Sequence, residues 1–304
     1  MSSTNAAPTR LTKTLSGLRR RLSGAGYTPH TVEHAYPRFS ILMPADHQLG
    51  EYQRRHRLYD RFLPHLASYL PVGSAVVDVG ANCGDTLAAM ATTQPNLHYV
   101  CIEPDDAFFA LLQENARRIR AIEAEVSVRV VKSLIGQAVN NVSLAGCGGT
   151  KKAVLGETGT GALKSIRLDD TVMPNEAKAL ALIKSDVDGF DFDVLDSSSS
   201  LIAQHHPLLF FECQLDHDFQ KAGYENTLTW LSESGYDCWV AFDNFGEVIL
   251  QTSAVRDVVQ LLDYVWRQNT GRTSRTIHYI DLLGATGRHH DMTYRCVRDY
   301  LNFA

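Results

Sequence analysis

The middle of the chain alternates between short apolar runs and segments with the composition of helices. The predicted elements are, in order, strand 75–79, helix 84–93, strand 98–103, helix 105–118 and strand 126–131. Strands separated by helices of this length pair in parallel through right-handed crossovers. The pattern therefore predicts an α/β fold with a mostly parallel, twisted and doubly wound sheet.

The second half of the chain continues this pattern and then changes it. The further predicted elements are a strand from residue 180, helix 190–195, strand 207–211, helix 225–234, helix 253–267 and a final strand 276–283. Two apolar runs, 236–242 and 247–251, are joined by Asp243-Asn244-Phe245-Gly246, and an Asn-x-Gly sequence between apolar runs is typical of a hairpin. We therefore predict an antiparallel hairpin at the C-terminal end of the sheet.

The first 70 residues are predicted to be a disordered tail followed by a helical lid. Residues 1–9 are small and polar. Residues 10–23 combine a narrow leucine stripe with five basic residues, which suits either a helix docked on the domain or a weak contact with an anionic membrane surface; the lack of aromatic residues favours docking. Helices within 51–70, interrupted near Pro64, are expected to cover a ligand cleft.

Residues 71–304 are predicted to form one domain with an insertion at 137–168. The insertion is rich in Gly, Asn, Ser and Thr, and we interpret its first part as a hairpin with loops. The four serines at 197–200 are predicted to form a surface loop.

Composition narrows the functional classes. The 304-residue chain is 44% hydrophobic and 21% charged, as expected of a globular protein with an ample core. Its net charge of −5 argues against a general nucleic-acid-binding protein. The six cysteines include no C-x-x-C pair, which favours buried thiols in a reducing compartment over disulfides or a zinc site. Because no apolar stretch has the length of a signal peptide or membrane span, we expect a cytoplasmic protein.

A glycine-containing turn follows the first predicted strand and carries the strongest chemical signal. In the segment 75–86 (AVVDVGANCGDT), Gly80 and Gly84 bracket a short polar turn that leads into a helix. Glycine lets a backbone turn sharply and approach a ligand, and a helix N-terminus offers unpaired N–H groups. Glu103 ends the next strand about 20 residues later, where an acid binds the ribose hydroxyls of a nucleoside.

The glycine spacing discriminates between nucleotide cofactors. Dinucleotide folds use G-x-G-x-x-G, whereas this turn reads G-x-x-x-G and is preceded by Asp78. A pyrophosphate has no use for that carboxylate, but a ligand with an amino group and a sulfonium charge does, so we favour S-adenosylmethionine over NAD. The candidate cofactor-binding residues are Asp78, Gly80, Ala81, Asn82, Gly84, Asp85, Thr86, Glu103, Pro104 and Ser133. Asn82 and Thr86 suit a turn and a helix cap equally well.

A second charged group follows the predicted strand that begins at residue 180. Lys184, Asp186 and Asp188 alternate along its end, and Glu212 ends the following strand. Open α/β sheets bind ligands beyond the carboxyl ends of their strands. We therefore expect these side chains at the same rim as the glycine-containing turn.

Both groups resemble motifs of the FkbM family of S-adenosylmethionine-dependent methyltransferases. The matching segments are 78–84 (DVGANCG), 102–104 (IEP), 168–170 (LDD), 183–190 (IKSDVDGF), 207–212 (PLLFFE) and 235–236 (GY), in the order of the family. The resemblance implies a Rossmann-like methyltransferase fold and O-methylation of a hydroxyl, often on a sugar or a natural product. The family usually has Glu where Asp188 stands and a glycine near Ser197-Ser198.

Methyl transfer to a hydroxyl needs orientation of the acceptor and a route for its proton. Asp186 is the leading candidate for a base or metal ligand, with Lys184 and Asp188 as neighbours and Glu212 opposite. The alternative is that Asp186 hydrogen-bonds the cofactor's amino group while Lys184 neutralises the acids. Asp186, Asp188 and Glu212 together would suit Mg²⁺, and His47 on the lid is an alternative base.

The predicted function is an S-adenosylmethionine-dependent O-methyltransferase acting on a sugar, glycan or related small molecule. An NAD-linked oxidoreductase and a cofactor-binding protein without catalysis are the alternatives. The expected partner is a small-molecule or glycan acceptor rather than nucleic acid, and a homodimer is the commonest arrangement of soluble enzymes.

Overall fold

A computed structural model describes residues 30–137, 142–145, 152–155 and 164–303. Its strands are β1 Thr31–Ala35, β2 Ser40–Pro44, β3 Ala75–Val79, β4 His98–Ile102, β5 Ser127–Val131, β6 Leu134–Ile135, β7 Val142–Ala145, β8 Lys152–Leu155, β9 Ser165–Ile166, β10 Leu180–Ser185, β11 Leu208–Gln214, β12 Tyr236–Asp243, β13 Val248–Thr252 and β14 Tyr279–Thr286. Its α-helices are α1 Leu49–Arg55, α2 Phe62–Ala67, α3 Asp85–Thr93, α4 Asp106–Ile122, α5 Pro174–Lys178, α6 Asp191–Asp196, α7 Ser199–His205, α8 Asp218–Glu233, α9 Val255–Asn269 and α10 His290–Phe303.

Some predictions fall outside these ranges. The N-terminal tail, the basic helix at 10–23 and the glycines between 146 and 161 are not among the described residues. The hairpin expected in the insertion is confirmed, because β7 and β8 pair antiparallel. Within the ranges above, no helix is long and apolar enough to cross a membrane.

The central sheet has the strand order β13-β12-β14-β11-β10-β3-β4-β5. The strands from β11 to β5 pair in parallel, and the chain between them passes through helices as predicted. β14, β12 and β13 pair antiparallel at the other edge. From β3 the strand order runs one way through β4 and β5 and the other way through β10 and β11. The order therefore reverses between β3 and β10, and open α/β sheets bind ligands at such a switch point.

Helices cover both faces of this sheet. Val76 packs in a core with α2, α3, α4 and α10, while its neighbour Val77 packs in a second core with α6, α7, α8 and α9. All five residues of β3 are buried, because successive side chains of a central strand enter opposite cores. The doubly wound α/β architecture predicted from the alternating pattern is therefore confirmed.

The N-terminal segment contains a hairpin before its helices. β1 and β2 pair antiparallel, and the Asn115 amide of α4 fixes the hairpin by accepting from Leu42 N–H and donating to Leu42 C=O, both at 2.7 Å. The break between α1 and α2 lies at residues 56–61 and not at Pro64, which occupies the first turn of α2. Proline is tolerated there because its missing N–H would have no helical partner.

The four serines form no loop, which corrects the prediction: Ser197 and Ser198 make a buried junction between helices, and Ser199 and Ser200 lie in the next helix, α7. Ser197 and Ser198 are fully buried, and their hydroxyls donate to the carbonyls of Val194 and Leu195 at 2.7 and 2.9 Å. Ser199 then begins α7. Serine suits this position because a small hydroxyl can be satisfied by the backbone of the preceding helix.

Helix α8 begins at Asp218, earlier than the predicted start at residue 225. Gly223 weakened the helical pattern of this segment. A Cβ on Gly223 would lie 2.6 Å from the ring of Phe192, so the glycine permits close packing of α8 on α6.

The C-terminal strand joins the central sheet, and the C-terminal helix packs against the N-terminal helix α2. β14 lies between β11 and β12 and pairs antiparallel with both. Helix α10 then forms where we predicted no element. The Tyr300 hydroxyl donates to Gly246 C=O at 2.9 Å, and its ring packs edge-on against Phe62 of α2. α2 is thus fixed to the C-terminal helix.

Candidate active site

The strand register brings the two predicted polar groups to one rim of the sheet. Asp78 of β3 lies opposite Lys184 of β10. Glu103 directly follows β4, and Asp186 directly follows β10. Glu212 lies within β11, the parallel neighbour of β10. The carboxyl ends of four adjacent parallel strands therefore carry these side chains.

Asp78 and Lys184 form a buried ion pair. The Lys184 Nζ lies 2.9 Å from Asp78 Oδ1 and 3.8 Å from the Asp186 carboxylate, and it donates to Gly80 C=O at 3.1 Å. Burial opposes the lysine charge, but the carboxylates of Asp78 and Asp186 raise the pKa of Lys184 above its ordinary value. Lys184 therefore balances charge and holds the turn. Burial raises the pKa of Asp78, while Lys184 acts against this shift.

The glycine-containing turn packs directly against the loop after β10. Gly80 has φ +76°, and a Cβ on it would lie 2.0 Å from the Asp186 carbonyl oxygen. The N–H groups of Gly80 and Ala81 both donate to Ile102 C=O at 3.0 Å. Because these amides are used within the fold, backbone donors for a ligand would come from the start of α3, which has no side-chain cap.

Glu103 bonds the glycine-containing turn through one carboxylate oxygen and the start of α4 through the other. Oε2 accepts from Asn82 N–H at 2.9 Å, and Oε1 accepts from Asp105 N–H at 2.8 Å. The residue is only 6% exposed, and burial raises the pKa of Glu103 to about 7 despite these hydrogen bonds. Each carboxylate oxygen can accept a second hydrogen bond, so the side chain keeps capacity for a ligand hydroxyl.

The remaining predicted cofactor residues occupy this rim in several roles. Asn82 has φ +47° and its side chain accepts the next backbone N–H at 2.7 Å, as a turn residue does. Gly84 has φ +87° and precedes α3. Thr86 lines a cavity beside the turn. Pro104 leads into the capped start of α4, and Ser133 is half-buried beyond β5.

Four carboxyl groups surround the ends of β10 and β11. Glu212 pairs in register with Asp281 of β14. Burial, followed by the charge of Asp186, raises the pKa of Glu212 and of Asp281 well above their ordinary values. Burial and the charges of Asp85 and Asp186 raise the pKa of Asp60 to about 7. Asp186, with 55% of its side chain exposed, and Asp60, which is also exposed, are the members of this acidic group that face solvent.

The turn after β10 is held by Asp191. Its carboxylate accepts from the Ser185 hydroxyl at 2.6 Å and from two backbone N–H groups of the turn. Asp188 lies in this turn with φ +55°. Among the described residues, Asp186, Asp188 and Glu212 do not place their oxygens close enough together to form a three-ligand group. Because Mg²⁺ keeps several waters and needs only one or two carboxylates, the site at these three residues stays a prediction.

A cavity lies between the N-terminal helices and the group of acids at the ends of β10 and β11. Its polar lining comprises Tyr36, Gln53, Tyr59, Asp60, Asp85, Thr86, Asn244, Tyr279 and Asp281. Leu58, Phe62, Phe210 and Phe242 contribute apolar and aromatic walls. Such a mixture of hydrogen-bonding groups and aromatic surface suits a small polar ligand.

Sequence reasoning found Asp85 and Thr86 of this cavity but missed Asp60, Asp281 and the tyrosines. Asp60 lies in a turn with φ +55°, and Tyr59 forms a hydrogen bond with Tyr279 that only the fold creates. Asp281 had a readable signal, because an acid within an otherwise apolar strand is costly to bury without a role. His47, the predicted alternative base, lies beside Cys83 and Asp85.

Comparison with known proteins identifies the family of these motifs. The family model for the methyltransferase FkbM domain matches residues 78–238, from Asp78 of β3 to β12. No sequence match was found among curated proteins.

Solved structures with a similar fold are methyltransferases of low sequence identity. The methyltransferase FkbM from Methylobacillus flagellatus KT is 16% identical, with 72% of this chain and 47% of that chain covered and a TM-score of 0.39. This chain thus spans about half the length of that protein. TYW2 from P. horikoshii, solved with MeSAdo, is 13% identical, with 86% and 73% covered and a TM-score of 0.45. A putative rRNA methylase from Clostridium thermocellum is 9% identical, with 79% and 96% covered and a TM-score of 0.40.

Proposed function

This chain belongs to the methyltransferase FkbM family, and we propose that it transfers the methyl group of S-adenosylmethionine to a hydroxyl oxygen of a sugar, glycan or related small molecule. One observation carries the cofactor part of the proposal. Glu103 is fixed at the end of β4 by two backbone N–H groups and stands next to a turn that leads into an uncapped helix start. A buried carboxylate beside a helix N-terminus at a switch point is the arrangement that binds a nucleoside.

The residues at the rim fit this cofactor. Glu103 would accept hydrogen bonds from the ribose hydroxyls, and the start of α3 would donate to the carboxylate of the methionine part. Asp78 is sealed behind the turn and fully buried. Its proposed contribution is therefore indirect. Asp78 fixes Lys184 through the ion pair, and Lys184 in turn holds the glycine-containing turn by its hydrogen bond to Gly80 C=O.

The chemistry of the bound cofactor is that of an electrophilic methyl group, and the chain must supply orientation and a proton acceptor. Holding the acceptor oxygen in line with that methyl can contribute up to about 7–11 kcal/mol. Asp186 is the proposed base, because its carboxylate is exposed at the rim while Lys184 lies 3.8 Å away. Asp60 is exposed and lines the cavity, so it is a second candidate proton acceptor on the cavity side.

The cavity supports a polyhydroxylated acceptor. The carboxyl groups of Asp60 and Asp281 can form hydrogen bonds with hydroxyl groups, and the tyrosines can both donate and accept. The aromatic walls offer a flat surface to the apolar face of a ring. Mg²⁺ at Asp186, Asp188 and Glu212 stays a prediction. The homodimer, the membrane-surface contact of the N-terminal helix and the cytoplasmic location also stay predictions.

Calorimetric titration of the purified chain with S-adenosylhomocysteine tests the cofactor site. The wild type is expected to bind, and Glu103→Gln is expected to weaken binding by at least about tenfold, since it removes an acceptor of charge-assisted hydrogen bonds. Glu176→Gln is the matched control. Glu176 is similarly buried but pairs with Arg129 at 2.6 Å, so its loss can reduce stability while leaving the affinity unchanged.

Transfer itself is tested with a labelled methyl donor and a panel of sugars and glycosides. Asp186→Asn is expected to bind S-adenosylhomocysteine normally and to lower the transfer rate by about 10²–10⁴-fold, the usual contribution of a general base. A folded wild type that binds no S-adenosylhomocysteine, alone or with acceptors present, would overturn the proposal. Full transfer by Asp186→Asn would remove that residue from the mechanism.

A further inference from the structure

Three side chains that commonly bind metals meet where the N-terminal segment contacts the glycine-containing turn after β3. They are His47, between β2 and α1, and Cys83 and Asp85, on either side of Gly84. One ligand atom from each lies within 4.8 Å of the other two. The Cys83 Sγ lies 4.0 Å from Asp85 Oδ1. No other group of this kind occurs among the described residues.

We propose that this group binds one divalent transition-metal ion of the Zn²⁺ type. A thiolate, an imidazole and a carboxylate are the donors that Zn²⁺ takes in proteins, whereas Mg²⁺ and Ca²⁺ prefer oxygen ligands alone. In a tetrahedral zinc site, a sulfur and an oxygen ligand lie about 3.5 Å apart, given Zn–S and Zn–O bonds of about 2.3 and 2.0 Å. The Cys83 and Asp85 side chains are therefore within about 0.5 Å of that spacing.

Local structure explains how the turn presents two of the ligands. Gly84 has φ +87°, so the chain between Cys83 and Asp85 turns in a way that is uncommon for other residues. The Asn82 side chain accepts the Cys83 N–H at 2.7 Å, and Asn115 donates to the Cys83 carbonyl at 2.7 Å. These bonds fix the cysteine backbone without using its sulfur.

The exposure of the three side chains indicates how an ion could reach the site. Cys83 is fully buried, while His47 and Asp85 are half-buried, so an ion would enter from the side of the imidazole and carboxylate and meet the thiol last. The His47 Nδ1 accepts from Leu49 N–H at 3.3 Å, a long contact. Metal binding through Nε2 would place the ring proton on Nδ1 and exchange that contact for a metal bond.

Two consequences follow from the position of the ion. It would join the N-terminal segment to the turn that follows β3, since His47 comes from one and Cys83 from the other. Three protein ligands also leave one tetrahedral position open, and Asp85 lines the cavity described above. The open position would therefore be occupied by water or by a ligand that enters from the cavity.

Titration of the untagged, metal-stripped full chain with Co²⁺ tests the site. Thiolate ligation of Co²⁺ produces an intense near-ultraviolet charge-transfer band, which oxygen and nitrogen ligands do not give. The wild type is expected to show this band at one equivalent and to lose it when Zn²⁺ is added. Cys83→Ser is expected to abolish the band, and Asp85→Asn and His47→Gln to weaken Co²⁺ binding by at least about tenfold.

Cys238→Ser serves as the matched control, because Cys238 is a half-buried free thiol in β12 and is not part of the group. It should keep the wild-type band and affinity. Absence of the band in the folded wild type, or an unchanged band in Cys83→Ser, would show that no such site exists. If Cys83→Ser fails to fold, the affinities of Asp85→Asn and His47→Gln decide the question, and values equal to the wild type reject the proposal. None of these results depends on methyl transfer or on cofactor binding.

Discussion

Gly80 fits its turn so closely that any side chain would overlap the backbone of Asp186. Gly80→Ala combines a positive φ with a Cβ placed 2.0 Å from a carbonyl oxygen, so we expect the free energy of unfolding to fall by at least about 3 kcal/mol. Gly73 is the matched control, with φ +81° and nothing within 4 Å of an added Cβ. Gly73→Ala should cost only about 1–2 kcal/mol. Urea unfolding of both variants measures the difference, and equal losses would contradict the packing argument.

Several site residues were visible in the sequence because polar side chains stand out at the ends of apolar strands. Asp78, Glu103 and Lys184 were all found in this way. Their partners were not readable, since the ion pair of Asp78 with Lys184 depends on the register between β3 and β10. The trio that includes His47 was equally hidden, because it needs the N-terminal hairpin to dock on α4.

The two N-terminal helices are attached to the domain with different strength. α1 buries only Leu49, whereas α2 buries Phe62, Leu66 and Ala67. α2 also contacts α10, since the His65 Nε2 lies 2.9 Å from the Cys296 carbonyl oxygen. We therefore predict that any lid movement involves α1 and leaves α2 in place. Hydrogen exchange followed by mass spectrometry should show faster exchange in α1 than in α2.

The control for this experiment lies within the same chain. α3 contacts α2 and belongs to the doubly wound core, so its slow exchange sets the reference for global unfolding. Equal protection of α1 and α2 would show that the N-terminal segment is one rigid unit, and a lid movement would then require both helices to leave the domain.

Elements with strong periodicity were predicted well, and the misses have physical causes. The strands β3 and β4 were identified because buried parallel strands are continuous apolar runs. Helix α10 was missed although Met292, Cys296 and Tyr300 recur at a helical spacing, a signal that was readable in principle. The buried serines were misread because a serine run is common in loops, and only the packing of α6 and α7 shows that their hydroxyls are satisfied.

The order of all eight strands in the sheet could not be predicted from the sequence. Local patterns specified which strands pair in parallel, because crossover helices impose it. The insertion of β14 between β11 and β12 depends on which edge of the sheet remains open after the preceding strands have packed. That choice places Asp281 beside Glu212 and so completes the group of acids at the ends of β10 and β11, which explains why this group was less predictable than the glycine-containing turn.

The acids buried by this fold should make the ligand-free protein less stable as the pH rises from about 5 to about 7. Burial raises the pKa of Glu103 and of Asp191 to about 7, above their ordinary values of 4.5 and 3.8. In this range the native state keeps protons that the unfolded chain has released, so unfolding is favoured as the pH increases. His34 and His289 act in the opposite sense, because burial lowers the pKa of each imidazole. The carboxyl groups with raised pKa outnumber them.

Urea unfolding at several pH values between 5 and 8 measures this dependence. Glu103→Gln removes one titrating carboxyl, so its slope should be shallower than that of the wild type by at most about 1.4 kcal/mol per pH unit, the value for one proton. Glu114→Gln is the control, because the pKa of Glu114 is lowered to about 2 by its hydrogen bonds to Arg117 and Arg118 and the group does not titrate in this range. A wild-type stability that rises from pH 5 to 7, or a Glu103→Gln slope equal to the wild type, would mean that Glu103 is already ionised in the folded protein. The turn above it would then hold a charged carboxylate before any ligand binds.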